Sequence, residues 1–97
     1  MKITWTSLAL ERVYEIAKYI AEDSLESSNK WVDQIFNKVK RLEKFPESGR
    51  KIKESNRKEV REIIFGNYRV IYRIGRNQIY ILTVRHLRQI LPEVKIK

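Results

Sequence analysis

The sequence predicts an α+β domain in the order β-α-α-β-β-β, with an antiparallel sheet and a helical hairpin packed on one face. Three observations lead there. In the first half, apolar residues recur at spacings of three and four through two long stretches. In the second half, three runs rich in β-branched and aromatic residues are separated by short Gly/Asn turns. The chain has 97 residues, too few for two cores that would each offset the entropy of ordering. Residues 1–97 therefore read as one domain, and 42% hydrophobic content is enough to fill its interior.

Lys2 to Trp5, with Ile3 and Trp5 on one side, reads as a first strand, and Ser7 offers an N-cap. From Leu8 to about Glu22, Ala9, Val13, Ile16, Ala17 and Ile20 form one helical stripe opposite Glu11, Glu15, Lys18 and Glu22. Asp23 to Ser28 interrupts the pattern with residues that favour caps and turns. A second helix spans about Ser28 to Lys44, its stripe made of Trp31, Val32, Ile35, Phe36, Val39 and Leu42. Helices this close in sequence pair antiparallel. Pro46 ends the second one, Gly49 marks a turn in Phe45-Pro46-Glu47-Ser48-Gly49-Arg50, and Lys51 to Lys58 reads as a loop. Glu59–Phe65, Tyr68–Ile74 and Gln78–Arg85 are the three strands. Gly66-Asn67 and Gly75-Arg76-Asn77 are short enough to force hairpins. Pro92 and the closing lysines predict a loosely held tail over residues 86–97.

Strand parity then sorts the side chains. With a two-residue turn at Gly66-Asn67, Tyr68, Val70, Tyr72 and Ile74 face the helices, while Arg69, Ile71 and Arg73 face away. A register placing Arg69 opposite Thr83 would gather Arg69, Arg73 and Arg85 on the helix-free face. The same parity sets Arg61 opposite to Arg69 and puts Glu62 on the face of Arg69 and Arg73, where it reads as a cross-strand salt-bridge residue in preference to a general base. Trp5 and Trp31 fall on apolar stripes and read as core.

Charge points to an acidic partner. Net charge is +9, yet residues 1–28 carry Lys2, Arg12 and Lys18 against Glu11, Glu15, Glu22, Asp23 and Glu26, a net of −2, which leaves +11 for the remainder. Such asymmetry favours nucleic acid or an acidic protein segment. Lys38, Lys40, Lys44, Lys51 and Lys53 form either a solvated surface or a rim that tracks phosphates. Cysteine is absent, which excludes disulfides, thiolate zinc sites and cysteine nucleophiles; no metal or other cofactor is expected. No run reaches the roughly 18 apolar residues of a membrane span, so a cytoplasmic protein is expected.

Read in order, the segments ALERVYEIAKYIAEDS, FPESGR, VREIIFGNYRVIYRI and IYILTVRHLRQILPE resemble the RelE/ParE superfamily of toxins from type II toxin–antitoxin systems, and the ParE branch more than the RelE branch. The resemblance covers nearly the whole chain. It implies the fold derived above, growth inhibition, a role in plasmid stabilisation, and neutralisation in a hetero-oligomer by a cognate acidic antitoxin. Two targets come with it: ParE-like members poison DNA gyrase, and RelE-like members cut messenger RNA on the ribosome without a metal. A third reading is a degenerate module that only binds an antitoxin.

RNA cleavage by a 2′-hydroxyl needs a base, an acid and a cation for the phosphorane charge. By resemblance, Arg69 matches the strand arginine of the cleavers and Arg61 lies near their first basic residue, while Ile63 stands where a second lysine is expected. His86, the sole histidine, offers an acid or base, or orders the C-terminal turn beside Arg85 and Arg88. Arg69, Arg73, Arg85 and Arg88 are the expected polyanion-binding set. The paired helices, FPESGR and the thin catalytic inventory favour the gyrase branch.

Overall fold

The computed structural model describes residues 1–88. Their order is β1 (Lys2–Trp5), α1 (Ser7–Ala21), α2 (Leu25–Lys40), a 3₁₀ turn (Arg41–Glu43), β2 (Arg50–Lys51), β3 (Val60–Phe65), β4 (Tyr68–Gly75) and β5 (Gln78–His86). The α+β class and the helical hairpin on one face are as the sequence predicts. The sheet has five strands in the order β1-β5-β4-β3-β2, and it is mixed, because β1 runs parallel to β5. No hairpin joins β1 to its neighbour. The whole helical pair and three strands intervene, and a crossover of that length permits parallel pairing. From β2 to β5 the pairing is antiparallel.

Several boundaries shift for identifiable reasons. Thr6, not Ser7, caps α1: its Oγ1 accepts the Ala9 N–H at 3.2 Å and donates to the Ile81 carbonyl at 2.7 Å. Ser24 caps α2 by accepting the Ser27 N–H at 3.1 Å, so this helix begins at Leu25, ahead of the expected Ser28. It gives way to the 3₁₀ turn after Lys40, just before Pro46 forbids further helix. Ser28 is buried in the hairpin and donates to the Ala17 carbonyl at 2.6 Å. Within the expected loop, Arg50 and Lys51 form a short edge strand against Glu62 and Arg61. The predicted tail lies outside the described residues from 89 onward; His86 itself ends β5.

The main core lies between helices and sheet. Ala9, Val13, Ile35, Val39 and Leu42 from the helical layer meet Ile63, Val70, Tyr72, Ile79, Ile81 and Val84 from the sheet. Trp5 packs on Phe36 with ring centroids 4.5 Å apart, and Trp31 meets Phe65 and Tyr68, so both tryptophans, partly buried, pack against the core. A second, smaller cluster of Ile52, Val60 and Ile71, with Leu82 against it, lies on the other face. That face is partly roofed by the segment after β2.

The β4–β5 register differs from the expected one. Arg69 faces Arg85 and Ile71 faces Thr83, and then the pairing slips so that Tyr72 faces Ile81. Leu82 is the extra residue. A bulge there reverses the parity of β5, which lets Ile79, Ile81 and Val84 all reach the core despite the odd step from 81 to 84.

Candidate functional site

The candidate site is built on the sheet face away from the helices, where β3, β4 and β5 run side by side. Register sets Arg69 and Arg85 across from each other, and Arg73 shares the parity of Arg69 on β4. Arg73 lies over Tyr80, its guanidinium carbon 4.5 Å from the ring centroid, a cation–π contact that favours this direction. Register therefore sets three of the expected polyanion-binding residues toward one face, with Arg85 also lining the cleft beside α1. Arg88 is exposed beyond the end of β5.

Arg69 is placed differently from a bare surface cation. It is 7% exposed and engages two carboxylates. Its Nε donates to Glu62 Oε1 at 2.6 Å, and its two terminal nitrogens donate to the Glu54 oxygens at 2.8 Å each. Glu62, 4% exposed, also accepts from Arg50 Nε at 2.6 Å, which extends the alternation to Glu54–Arg69–Glu62–Arg50. The fork-to-fork contact from Glu54 holds the Arg69 guanidinium above its ordinary pKa, with burial opposing and Glu62 assisting. Reciprocally, the Arg69 hydrogen bonds hold the Glu54 carboxyl below its ordinary value against a smaller desolvation cost. Parity puts Glu62 on the face of Arg69 and Arg73, and of these two the bridge forms with Arg69. Glu54 was not expected, and its only sequence signal is an acid flanked by Lys51, Lys53 and Arg57 in a basic loop.

The other two candidate catalytic residues do not join Arg69. Arg61 stands across from Tyr72 and donates from Nη1 to the Gly49 carbonyl at 2.9 Å, on the opposite face as parity predicts. His86 has the parity of core residue Val84. Its ring meets Tyr68 edge-on at 5.8 Å, and its Nδ1 accepts the Arg88 N–H at 3.3 Å. His86 also lines a cleft of about 420 Å³ with Arg12, Glu15, Tyr19 and Tyr68 beside α1.

A second feature was legible only as a turn. In Phe45-Pro46-Glu47-Ser48-Gly49 the backbone wraps the buried Tyr72 hydroxyl, which donates to the Pro46 carbonyl at 2.7 Å and accepts the Gly49 N–H at 2.9 Å. Burial pushes the Tyr72 phenol above its ordinary pKa, and the Gly49 hydrogen bond partly offsets this. A Cβ on Gly49 would lie 2.5 Å from that hydroxyl and 2.6 Å from the Glu62 carbonyl, so glycine is required for close approach. The clamp holds Phe45 61% exposed at the mouth of a cleft of about 480 Å³, lined in part by Lys38, Arg41, Arg50, Leu42 and Ile63.

Among the described residues no group of three His, Cys, Asp or Glu is placed to hold a metal ion, and no helix is long and apolar enough to cross a membrane. The helical pair on one face of a mixed sheet is consistent with the RelE/ParE fold. The chain is similar in fold to a solved chain described as "Chromosomal ParDE TA system from P. aeruginosa", with a TM-score of 0.74, 24% identity, and coverage of 89% of this chain and 95% of that one. It is 37% identical over 95 residues to the Sinorhizobium fredii protein called "Putative toxin Y4kP", spanning 96% of this chain and 95% of the relative. The family model described as "ParE toxin of type II toxin-antitoxin system, parDE" matches residues 3–91. The chain belongs to the ParE toxin family.

Proposed function

We propose that this toxin arrests growth in the cytoplasm by binding and poisoning DNA gyrase, and that a cognate antitoxin neutralises it by covering its basic surfaces with an acidic segment. The observation that carries this reading is the disposition of the three candidate ribonuclease residues. Cleavage at one phosphate requires a base, an acid and a cation within hydrogen-bond reach of it. Here Arg69 is matched by two carboxylates, Arg61 is bonded to Gly49 on the opposite face, and His86 lies against Tyr68. That separation supports action by binding over RNA chemistry. Exposed Arg50, Lys51, Lys53 and Arg88 then supply the long-range attraction to an acidic surface.

An antitoxin partner is supported by the family to which the chain belongs and by the solved structure it is similar to, both of which are named for a toxin–antitoxin system. Neutralisation by occlusion follows if the antitoxin lays an acidic extended or helical segment over the clefts. The deciding experiment runs purified toxin in a gyrase supercoiling assay beside ribosome-programmed messenger RNA cleavage. Inhibited supercoiling with intact messenger RNA is expected, and addition of antitoxin restores supercoiling. Cleaved messenger RNA with unaffected gyrase would reject the reading. Normal growth on expression, with or without the neighbouring antitoxin gene, would reject toxicity altogether.

A further inference from the structure

We infer that the cleft around Arg69 is a binding site for a phosphate group of a nucleic-acid backbone, and that Glu54 is a built-in anion occupying that seat until the segment carrying it swings aside. The inference does not depend on gyrase as the target.

Geometry is the first support. The cleft, about 270 Å³, is lined by Arg50, Lys51, Lys53, Glu54, Glu62, Arg69 and Leu87, so four cations surround two carboxylates. The two acids are not equivalent. Glu62 belongs to β3, is 4% exposed, and has each oxygen engaged by a different arginine. Glu54 comes from the segment between β2 and β3, and its side chain is 25% exposed. It meets the outward edge of the Arg69 guanidinium with two parallel hydrogen bonds, the arrangement arginine also makes with two phosphate oxygens. Glu54 therefore stands where a phosphate would, and Glu62 is the permanent counter-charge beneath.

The build of the segment is the second support. Ile52 and Val60 are buried in the small cluster on this face, and they act as posts. Between them, Lys53, Glu54, Asn56, Arg57 and Lys58 are exposed, and the stretch contributes no apolar side chain to either core. Its local bonds are short-range: Arg57 N–H donates to Ser55 Oγ at 3.1 Å, and at the junction with β3 the Val60 N–H donates to the Arg57 carbonyl at 3.3 Å, so neither holds residues 53–56 against the sheet. Among the described residues the Glu54 carboxylate ties the segment to the middle of the sheet, and its other bonds lie at the junction with β3, from Arg57 to Glu59 and Val60. Exchanging it for an external anion exposes no core and leaves Arg69 fully hydrogen-bonded. A nucleic-acid strand is favoured over an acidic peptide because Arg50 and Lys51, held on β2, line the same cleft and offer cations to neighbouring phosphates while one occupies Arg69.

The test is binding of a fluorescent short oligothymidylate to the intact toxin, read by anisotropy at low salt, with folding checked by near-UV circular dichroism. Glu54→Gln is expected to tighten binding about tenfold by freeing the guanidinium fork, and Glu43→Gln, an equal charge change on an exposed residue, by less than about twofold. The double variant Glu54→Gln/Arg69→Lys, which keeps the charge but loses the fork, is expected to lose the gain. Equal gains from Glu54→Gln and Glu43→Gln, or a gain that persists without the Arg69 fork, would show net charge alone and overturn the inference. Displacement of the oligonucleotide by a poly-glutamate peptide at lower concentration would overturn it in favour of an acidic protein. Should Glu54→Gln fail to fold, the Arg69 Nε resonance of the wild-type toxin decides: it shifts on oligonucleotide addition if the site exists, and stays put if it does not.

Discussion

At the scale of single residues, the buried polar contacts decide what this toxin tolerates. Gly49→Ala forces a methyl into the Tyr72 hydroxyl and the Glu62 carbonyl, and the overpacking is expected to cost about 2–3 kcal/mol, measured by urea denaturation. Tyr72→Phe strands the Gly49 N–H without its acceptor and is expected to cost about 1–2 kcal/mol. Glu54 predicts an acid response. Its carboxyl is held below the ordinary value of 4.5 by Arg69, so the native state binds that proton less tightly than the unfolded chain. Its contribution is complete above the unfolded value and is lost as pH falls through the lower native one. Melting temperatures of wild type and Glu54→Gln between about pH 6 and pH 3 are expected to converge on acidification; a constant gap would show that the Glu54 charge plays no part. At this scale the sequence was partly legible. Parity put Glu62 on one face with Arg69 and Arg73, diagonal to both in the register, because alternation along paired strands fixes the face by rule. It missed Glu54, because no periodicity governs where a loop returns.

At the scale of elements, local propensity and turn chemistry explain what was visible. Gly66 adopts a left-handed φ of 57° between β3 and β4, as a two-residue hairpin turn demands, and Asn77 does the same at 56° before β5. Both helices were recognisable from apolar spacing, with starts displaced where an earlier hydroxyl made the better cap. Thr6 carries two duties, capping α1 and bonding to β5. Thr6→Ala is therefore expected to cost about 1–2 kcal/mol, at the upper end for a helix cap, whereas Ser7→Ala is expected to be nearly neutral. Equal costs in thermal denaturation would contradict the assignment of the cap. The bulge at Leu82 was also written in the sequence, as the break in alternation between Ile81 and Val84. Strict period-two reading passed over it and so placed Arg69 opposite Thr83 in place of Arg85.

At the scale of the whole molecule, fold and family were legible because size, element order and motif order agree. The target was not, since neither gyrase nor ribosome binding leaves a periodic mark in one sequence. The surface is strongly cationic, with a net +9, and association with an acidic partner is expected to be steered by that field. Raising salt from about 0.1 to 0.5 M, which shortens the screening length well below 10 Å, should slow antitoxin association much more than it speeds dissociation. Stopped-flow mixing would show this, and an on-rate indifferent to salt would mean that contact is governed by apolar patches such as Phe45.

The parallel β1–β5 pairing also orders events in time. The first strand pairs with the last of the described strands, Ile3 across from Ile79 and Trp5 across from Ile81, so a growing polypeptide must carry β1 without its strand partner for most of synthesis. Closing so long a loop is slow. The β1 edge of the sheet therefore closes last, only once β5 has been made.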